Sequence, residues 1–180
     1  MVPEAPLEET EHGKVARGDG WFVLNAREAT WYDRGPRGAL CDLEAGQDFA
    51  QVGISLFVLG PGEPMSMYHW EADQEDFLVL SGEALLIVDD EERPLKQWDF
   101  FHCPPNVSHT IVGAGSGPAA ILAVGAREHQ RGESWGAYPF SETAMRHNAG
   151  AERETNVPEE AYARFPARQP TRYRDGWLPW

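Results

Sequence analysis

The amino-acid sequence predicts an all-β fold, a jelly-roll β-barrel followed by short C-terminal helices and an extended C-terminal arm. Short apolar runs of the length of single strands recur between Trp21 and Arg127. Residues that favour turns, such as Gly60-Pro61-Gly62 and Ser81-Gly82, separate these runs. The chain has 180 residues, enough for one domain to bury a core without disulfides. Many short strands at regular spacing are typical of a sandwich or barrel.

The order of the elements divides the chain into three parts. Residues 1–20 are polar and weakly patterned, which predicts a loose N-terminal arm. Residues 21–128 contain the apolar runs and are predicted to form the barrel, beginning with a strand-like run at Trp21-Phe22-Val23-Leu24. The further predicted strands cover residues 54–59, 77–80, 84–88, 100–103, 109–112 and 119–124.

Residues 129–180 are predicted to form a C-terminal extension with short helices. Ser141 is a suitable N-cap for a helix over residues 142–147. Pro158 suits the first position of a second helix over residues 158–165, which Pro166 should end. The terminal residues 172–180 are rich in aromatic side chains, so we expect them to pack on the barrel or on a partner subunit.

The charge and composition exclude several functions. There are 15 Lys and Arg residues against 29 Asp and Glu residues, which gives a formal net charge of −14. A polyanion would be repelled, so nucleic acid is not expected as a partner. No apolar run has the roughly 18 to 20 residues that a membrane helix needs. With two cysteines and an acidic start unlike a secretory signal, the chain is expected to be cytoplasmic.

A candidate metal site lies between two of the predicted strands. His69 and Glu71 are two residues apart, so on a strand their side chains leave the same face. Glu75 follows after a short polar turn, at the start of the next predicted strand, and His109 lies further along the chain. Imidazole and carboxylate groups are common ligands of divalent metals.

These residues resemble the two sequence motifs of the cupin superfamily. The pattern His69-x-Glu71-x3-Glu75-x6-Gly82 is similar to the first motif, with Glu71 in place of a second histidine. Trp98-Asp99 and Pro104-x-Asn106-x2-His109 are similar to the second motif, with Trp98 and Asn106 in place of glycines and Gly113 in place of an asparagine. The resemblance covers about residues 50–125. It implies a single-domain cupin barrel that binds one divalent metal, often as a homodimer.

By this resemblance His69, Glu75 and His109 are metal ligands, and the role of Glu71 is open. If Glu71 binds, two imidazoles and two carboxylates neutralise a divalent ion, and the harder ligands favour manganese or iron over copper. If Glu71 points away, the remaining two histidines and one carboxylate are the set of non-heme iron oxygenase sites. Zinc and nickel are compatible with either arrangement.

The resemblance leaves more than one function open, because one fold supports many activities. The first hypothesis is a metal-dependent enzyme that acts on a small organic molecule, with dioxygenase chemistry ahead of sugar isomerase or epimerase chemistry. The alternative is a non-catalytic cupin that binds a small molecule, and a barrel without metal is the simplest competing interpretation. Tyr68 and His102 are the candidate catalytic side chains, the latter as a general base or a partner of a ligand.

Overall fold

The computed structural model describes residues 1–130 and 135–179. Within these residues the protein is an all-β molecule with two short helices, which confirms the predicted fold class. No helix among them is long and apolar enough to cross a membrane. The strands are β1 (Leu7–Thr10), β2 (Gly13–Ala16), β3 (Trp31–Asp33), β4 (Ala39–Asp42), β5 (Val52–Leu59), β6 (Trp70–Glu71), β7 (Glu75–Ser81), β8 (Glu83–Val88), β9 (Glu91–Lys96), β10 (Phe100–Cys103), β11 (His109–Ala114), β12 (Ala119–Ala126), β13 (Gly136–Ala137) and β14 (Gln169–Thr171).

The strands form two main sheets that enclose the core. The larger sheet has the order β10-β7-β12-β5-β4-β3-β14, and the smaller one has the order β11-β8-β9. All pairings within them are antiparallel. Inward side chains of both sheets meet in one apolar cluster that includes Phe77, Leu86, Ile111 and Ile121. Burial of each such side chain stabilises the fold by about 1.5 to 3 kcal/mol, which holds the two sheets face to face.

The six strands predicted over residues 54–124 are all present, in β5, β7, β8, β10, β11 and β12. Alternating or continuous apolar runs bounded by turns were sufficient to locate them. β9 was not predicted, because it is an exposed edge strand rich in charge and contains Pro94. Proline is tolerated on an edge, where its missing N–H costs no ladder hydrogen bond.

Two expectations for the N-terminal region were wrong. Residues 1–20 are not a loose arm, since β1 and β2 form a hairpin and Ala5 and Ala16 are buried against Ala45. The run Trp21-Phe22-Val23-Leu24 makes only an isolated bridge, between Glu4 and Trp21. Apolar residues that pack as single contacts onto a neighbouring surface give the same sequence pattern as a short strand.

The C-terminal extension contains both predicted helices. α1 (Glu142–Arg146) begins at Ser141, whose hydroxyl accepts a hydrogen bond from the backbone N–H of Ala144 at 3.0 Å. α2 (Pro158–Ala161) is shorter than predicted and ends well before Pro166. β14 then adds to the edge of the larger sheet beside β3. Trp180 lies outside the described residues, and the boundaries of the three predicted parts stay a prediction.

Two positions that depart from the cupin motifs keep the positive backbone φ angle that glycine favours. Trp98 and Asn106, which replace motif glycines, have φ angles of 74° and 69°. Glycine adopts this left-handed region without steric cost, whereas other residues do so at an expense of about 1 to 2 kcal/mol. Gly82 is at 76°, and a Cβ there would lie 2.4 Å from the carbonyl oxygen of Pro118. The turns at Trp98 and Asn106 therefore have the same left-handed backbone conformation as the turn at Gly82, although they lack glycine.

The aromatic C-terminal segment packs on the outer face of the barrel of the same chain. The rings of Tyr173 and Trp177 lie 5.8 and 4.9 Å from the ring of Trp31. Trp31 is fully buried, and its indole N–H donates to the carbonyl oxygen of Ala26 at 2.8 Å. This cluster attaches the end of the chain to β3.

The substitution Trp31→Ala should destabilise the protein by about 3 to 5 kcal/mol, because it leaves a large cavity beneath Tyr173 and Trp177. The free energy of unfolding can be measured by urea denaturation. Trp98→Ala is the matched control, since Trp98 is 66% exposed, and it should change stability by less than about 1 kcal/mol. Equal effects of the two substitutions would contradict the assigned packing.

Candidate metal centre

Two histidines from neighbouring backbone segments form the base of the site. The segment before β6 runs antiparallel to β11, and His69 and His109 are directly opposite each other. The N–H of His69 donates to the carbonyl of His109 at 3.1 Å, and the N–H of His109 donates back at 2.8 Å. The two imidazole centroids are 4.9 Å apart. Backbone pairing thus places both rings on the same inner face.

The hydrogen bonds of the rings fix their tautomers. Nδ1 of His69 lies 2.8 Å from the carbonyl oxygen of Met67, and Nδ1 of His109 lies 3.1 Å from that of Val107. Because a carbonyl oxygen only accepts, each Nδ1 carries the proton. In a neutral imidazole Nε2 is then free to donate its lone pair, the arrangement common in metal-binding histidines.

Glu75 reaches the two histidines from the opposite sheet. It is the first residue of β7, and its Oε2 lies 3.5 Å from Nε2 of His69 and 3.3 Å from Nε2 of His109. Donor atoms of these three residues all lie within 4.8 Å of one another. Glu75 Oε2 and His109 Nε2 are buried without a hydrogen-bond partner. Buried polar atoms are normally paired, so these two require an explanation.

The separations of these atoms fit a bound metal ion better than a direct ion pair. A hydrogen bond between charged nitrogen and oxygen is about 2.7 to 2.9 Å long, shorter than either distance in the cluster. Two donors that each lie about 2.0 to 2.2 Å from one ion, at angles of about 90° to 110°, are roughly 2.8 to 3.6 Å apart. His69, Glu75 and His109 could therefore hold one divalent ion.

The imidazoles and the carboxylates of the cluster shift one another's pKa values. Burial acts to lower the pKa of His69, but Glu71 and Glu75 outweigh it and raise this pKa to about 10. Burial also acts to lower the pKa of His109, which Cys103 and Glu75 raise to about 9. Although burial acts to raise the pKa of Glu75, the imidazoles hold it well below its usual range. A metal would have to displace protons from this cluster on binding.

Glu71 lies beside the cluster. Its Oε1 is 3.5 Å from Nε2 of His69, yet Glu71 is not part of the group whose donor atoms all lie within 4.8 Å of one another. β6 and β13 pair at this point, and the backbone carbonyl of Glu71 accepts from Asn106 at 2.8 Å. The carboxylate is therefore held near the site, in a position to bind an ion at the edge or to contact a ligand of that ion.

A cavity of about 710 Å³ opens beside the cluster and is lined by His69, Glu71 and Glu75. Its walls include apolar side chains from the barrel, among them Phe57 and Phe77. The cavity is also lined by residues that the sequence did not indicate, namely Arg34, Arg37, Tyr138, Tyr162 and Arg168. These residues lie outside the motif stretch, and no local spacing links them to it. Another cavity, of about 580 Å³, lies beside α2 and is lined by no residue of the cluster.

The structure does not bring the other two candidate residues to the cluster. Tyr68 is buried below α1, and its hydroxyl accepts from the backbone N–H of Asp90 at 3.1 Å. His102 is on the exposed side of β10, with Nδ1 2.7 Å from Oδ1 of Asp76. Cys103 is buried, and its Sγ lies 3.2 Å from Nδ1 of His109. It therefore contacts the ring of a candidate ligand, a contact that the sequence spacing did not reveal.

Comparison with known proteins finds a family match over part of the chain and similar folds among solved structures. A family model described as "Cupin domain" matches residues 55–125. A predicted oxalate decarboxylase from Thermotoga maritima is 20% identical with a TM-score of 0.51, over 58% of this chain and 97% of that one. This likeness shows the fold. No curated protein matches the chain.

Two solved structures share somewhat more sequence over shorter stretches. A sugar phosphate isomerase from Silicibacter pomeroyi is 29% identical over 49% of this chain, with a TM-score of 0.45. A putative sugar phosphate isomerase from Acidithiobacillus ferrooxidans is 26% identical over 51% of this chain, also with a TM-score of 0.45. The chain covers 59% and 62% of the lengths of these two proteins.

The substitutions Glu75→Gln and Glu71→Gln should differ in their effect on metal affinity. Glu75 contacts both histidines, so its loss should weaken binding at least 100-fold, whereas loss of Glu71 should weaken it about 10-fold. Competition titration with a chromogenic chelator measures both affinities. Equal losses of metal affinity in the two variants would mean that Glu71 is a metal ligand like Glu75. An unchanged metal affinity in Glu75→Gln would exclude this metal centre.

Proposed function

We propose that this protein is a cupin metalloenzyme that acts on a small organic molecule, with oxygenase chemistry. The match of residues 55–125 to the cupin family model supports the proposal. The observation that carries the proposal is the pair of buried, unpartnered atoms, Glu75 Oε2 and His109 Nε2. They converge with a donor atom of His69 at the edge of a cavity that can admit a ligand. A structural ion would not need such a cavity beside it.

The donor set supports iron or manganese as the metal. Two imidazole nitrogens and one carboxylate, with Glu71 at the margin, form the set of open-faced non-heme iron sites. Harder carboxylate ligands also suit manganese, and zinc or nickel would be accepted by the same residues. When bound, such an ion would polarise an oxygen atom of a substrate or, as iron, activate dioxygen.

The residues of the chain prepare the site in ways that favour catalysis. Met67 and Val107 hold the imidazoles in one tautomer through their carbonyl groups, so no reorganisation is needed when a ligand arrives. Phe57 and Phe77 line the cavity and limit the water that can enter. The ring of Tyr138 lies 5.8 Å from that of His69 and covers the cluster from the side of the C-terminal extension.

Protein purified without added metal and then loaded with Fe²⁺ or Mn²⁺ should contain about one equivalent of metal per chain, as measured by elemental analysis. His109→Ala should lower the content at least tenfold, because it removes a ligand from the interior. His12→Ala is the control, since His12 lies on the turn between β1 and β2, and its metal content should be unchanged. No stoichiometric metal in the wild-type protein would overturn the proposal.

Iron-loaded protein should consume dioxygen with at least one member of a panel of phenols, thiols and 2-keto acids, as measured with an oxygen electrode. Glu75→Gln should abolish this uptake. If the protein binds iron stoichiometrically and no compound supports uptake, the oxygenase assignment is contradicted. Saturable binding of a compound without turnover would then identify a non-catalytic binding protein.

The homodimer and the cytoplasmic location stay predictions.

A further inference from the structure

Two arginines lie on the wall of the cavity that opens beside the candidate metal centre. Arg34 precedes, and Arg37 ends, a short 3-10 turn (Gly35–Arg37) that follows β3. Both line the same cavity of about 710 Å³ as His69 and Glu75. They lie outside the segment that matches the family model, which begins at residue 55.

Arg34 is a buried cation with an incomplete set of partners. Its exposed fraction is 4%. Nη2 donates to the carbonyl oxygen of Met65, and the guanidinium lies 5.0 Å from the ring centroid of Phe57. Nη1 is buried and has no hydrogen-bond partner. Leaving a charged donor unpaired inside a protein is costly, so the fold leaves a place for an acceptor.

Arg37 also has a buried nitrogen without a hydrogen-bond partner. Its guanidinium lies 4.5 Å from the ring centroid of Tyr162 and 5.4 Å from that of Phe165, and its buried Nε has no partner. Within residues 1–130 and 135–179 no carboxylate forms an ion pair with Arg34 or Arg37. Glu63, whose charge acts on Arg34, accepts instead from the backbone N–H of Gly60 at 2.7 Å.

The two guanidinium groups also repel each other. Burial is the main cause, and the charge of Arg37 the second, of a pKa of Arg34 that is lowered to about 9. Arg168, held 4.5 Å from the ring centroid of Tyr32, adds a third positive charge to the same cavity. Glu71, Glu75 and Glu159 also line the cavity, but in the described residues none of them forms an ion pair with an arginine of this group. The whole chain has a net charge of −14, so this collection of arginines runs against the composition. An anion in the cavity would relieve the repulsion.

We propose that Arg34 and Arg37 bind a carboxylate or phosphate group of the substrate, so that the substrate class is a small organic anion held between this arginine pair and the metal centre. The planar, multiply donating guanidinium matches both oxyanions. Phe57 and Tyr162 hold the two arginines in place by stacking, which reduces the entropy lost on binding. The assignment of a substrate rests on the proposed function, whereas the anion site itself can be tested without it.

The test uses the full-length protein, both as purified and after metal removal with a chelator. Inorganic phosphate and malonate are titrated at constant ionic strength, with sodium chloride as the reference salt, and binding is measured by calorimetry and by the melting temperature. We expect saturable binding of at least one of the two anions in both preparations. Phosphate alone would identify a phosphate ester as the substrate class, and malonate alone would identify a carboxylate.

Variants show whether binding occurs at the arginine pair. Arg37→Gln and Arg34→Gln should each weaken binding of the anion at least tenfold. Arg34→Lys is the substitute if Arg34→Gln does not fold, and it should weaken binding because one ammonium cannot replace the planar guanidinium. Arg93→Gln is the matched control, since Arg93 is on the exposed edge strand β9, and it should bind like the wild type.

Absence of saturable binding by both anions in the wild-type protein would overturn the proposal. Binding that is unaffected by Arg37→Gln, or equally affected by Arg93→Gln, would overturn it as well. Binding in the chelated protein together with a failure to load metal would refute the proposed metalloenzyme and keep the anion site. Metal loading without anion binding would keep the proposed metalloenzyme and refute the anion site.

Discussion

The reciprocal backbone pairing of His69 with His109 is the constraint on which the candidate site depends. The N–H group of each histidine donates to the carbonyl oxygen of the other, which fixes the two backbone positions, and the contacts of each Nδ1 with the carbonyl oxygens of Met67 and Val107 hold the rings in place. The pairing sets both rings on the inner face of one sheet, and β7 brings Glu75 from the other sheet. A barrel that closes in this way places three donors in its interior, where an unpaired carboxylate and imidazole are unfavourable without an ion.

Most of the barrel could be predicted from the sequence because its strands are short apolar runs with turn residues between them. The grouping of His69, Glu75 and His109 could be predicted because their spacing resembles the two cupin motifs, and the structure brings their donor atoms together. The sequence places Glu71 near the site, but it does not show whether the carboxylate binds the ion. A change of about an ångström in the distance between the carboxylate and the ion decides between a ligand and a neighbour of the ion. Its position in β6, at the rim of the cavity, favours a role towards an incoming ligand.

The walls of the cavity could not be predicted, because they come from distant parts of the chain. Arg34 and Arg37 follow β3, and Tyr138 and Tyr162 belong to the C-terminal extension. The backbone N–H of Met67 donates to the hydroxyl oxygen of Tyr162 at 3.1 Å. Tertiary contacts of this kind leave no periodicity in the sequence. The motif residues thus supply the candidate metal ligands, while the flanking segments supply the other groups that line the cavity.

The most direct test of the account is a crystal structure of the metal-loaded protein, with anomalous diffraction measured at the absorption edge of the metal. The account predicts one anomalous peak per chain, about 2.0 to 2.2 Å from Nε2 of His69, Nε2 of His109 and a carboxylate oxygen of Glu75. A structure with no peak there would contradict it. So would a peak only at Asp73, Glu128 and His129, of which the last two are exposed, because the buried donors of the barrel would then have no ion to bind.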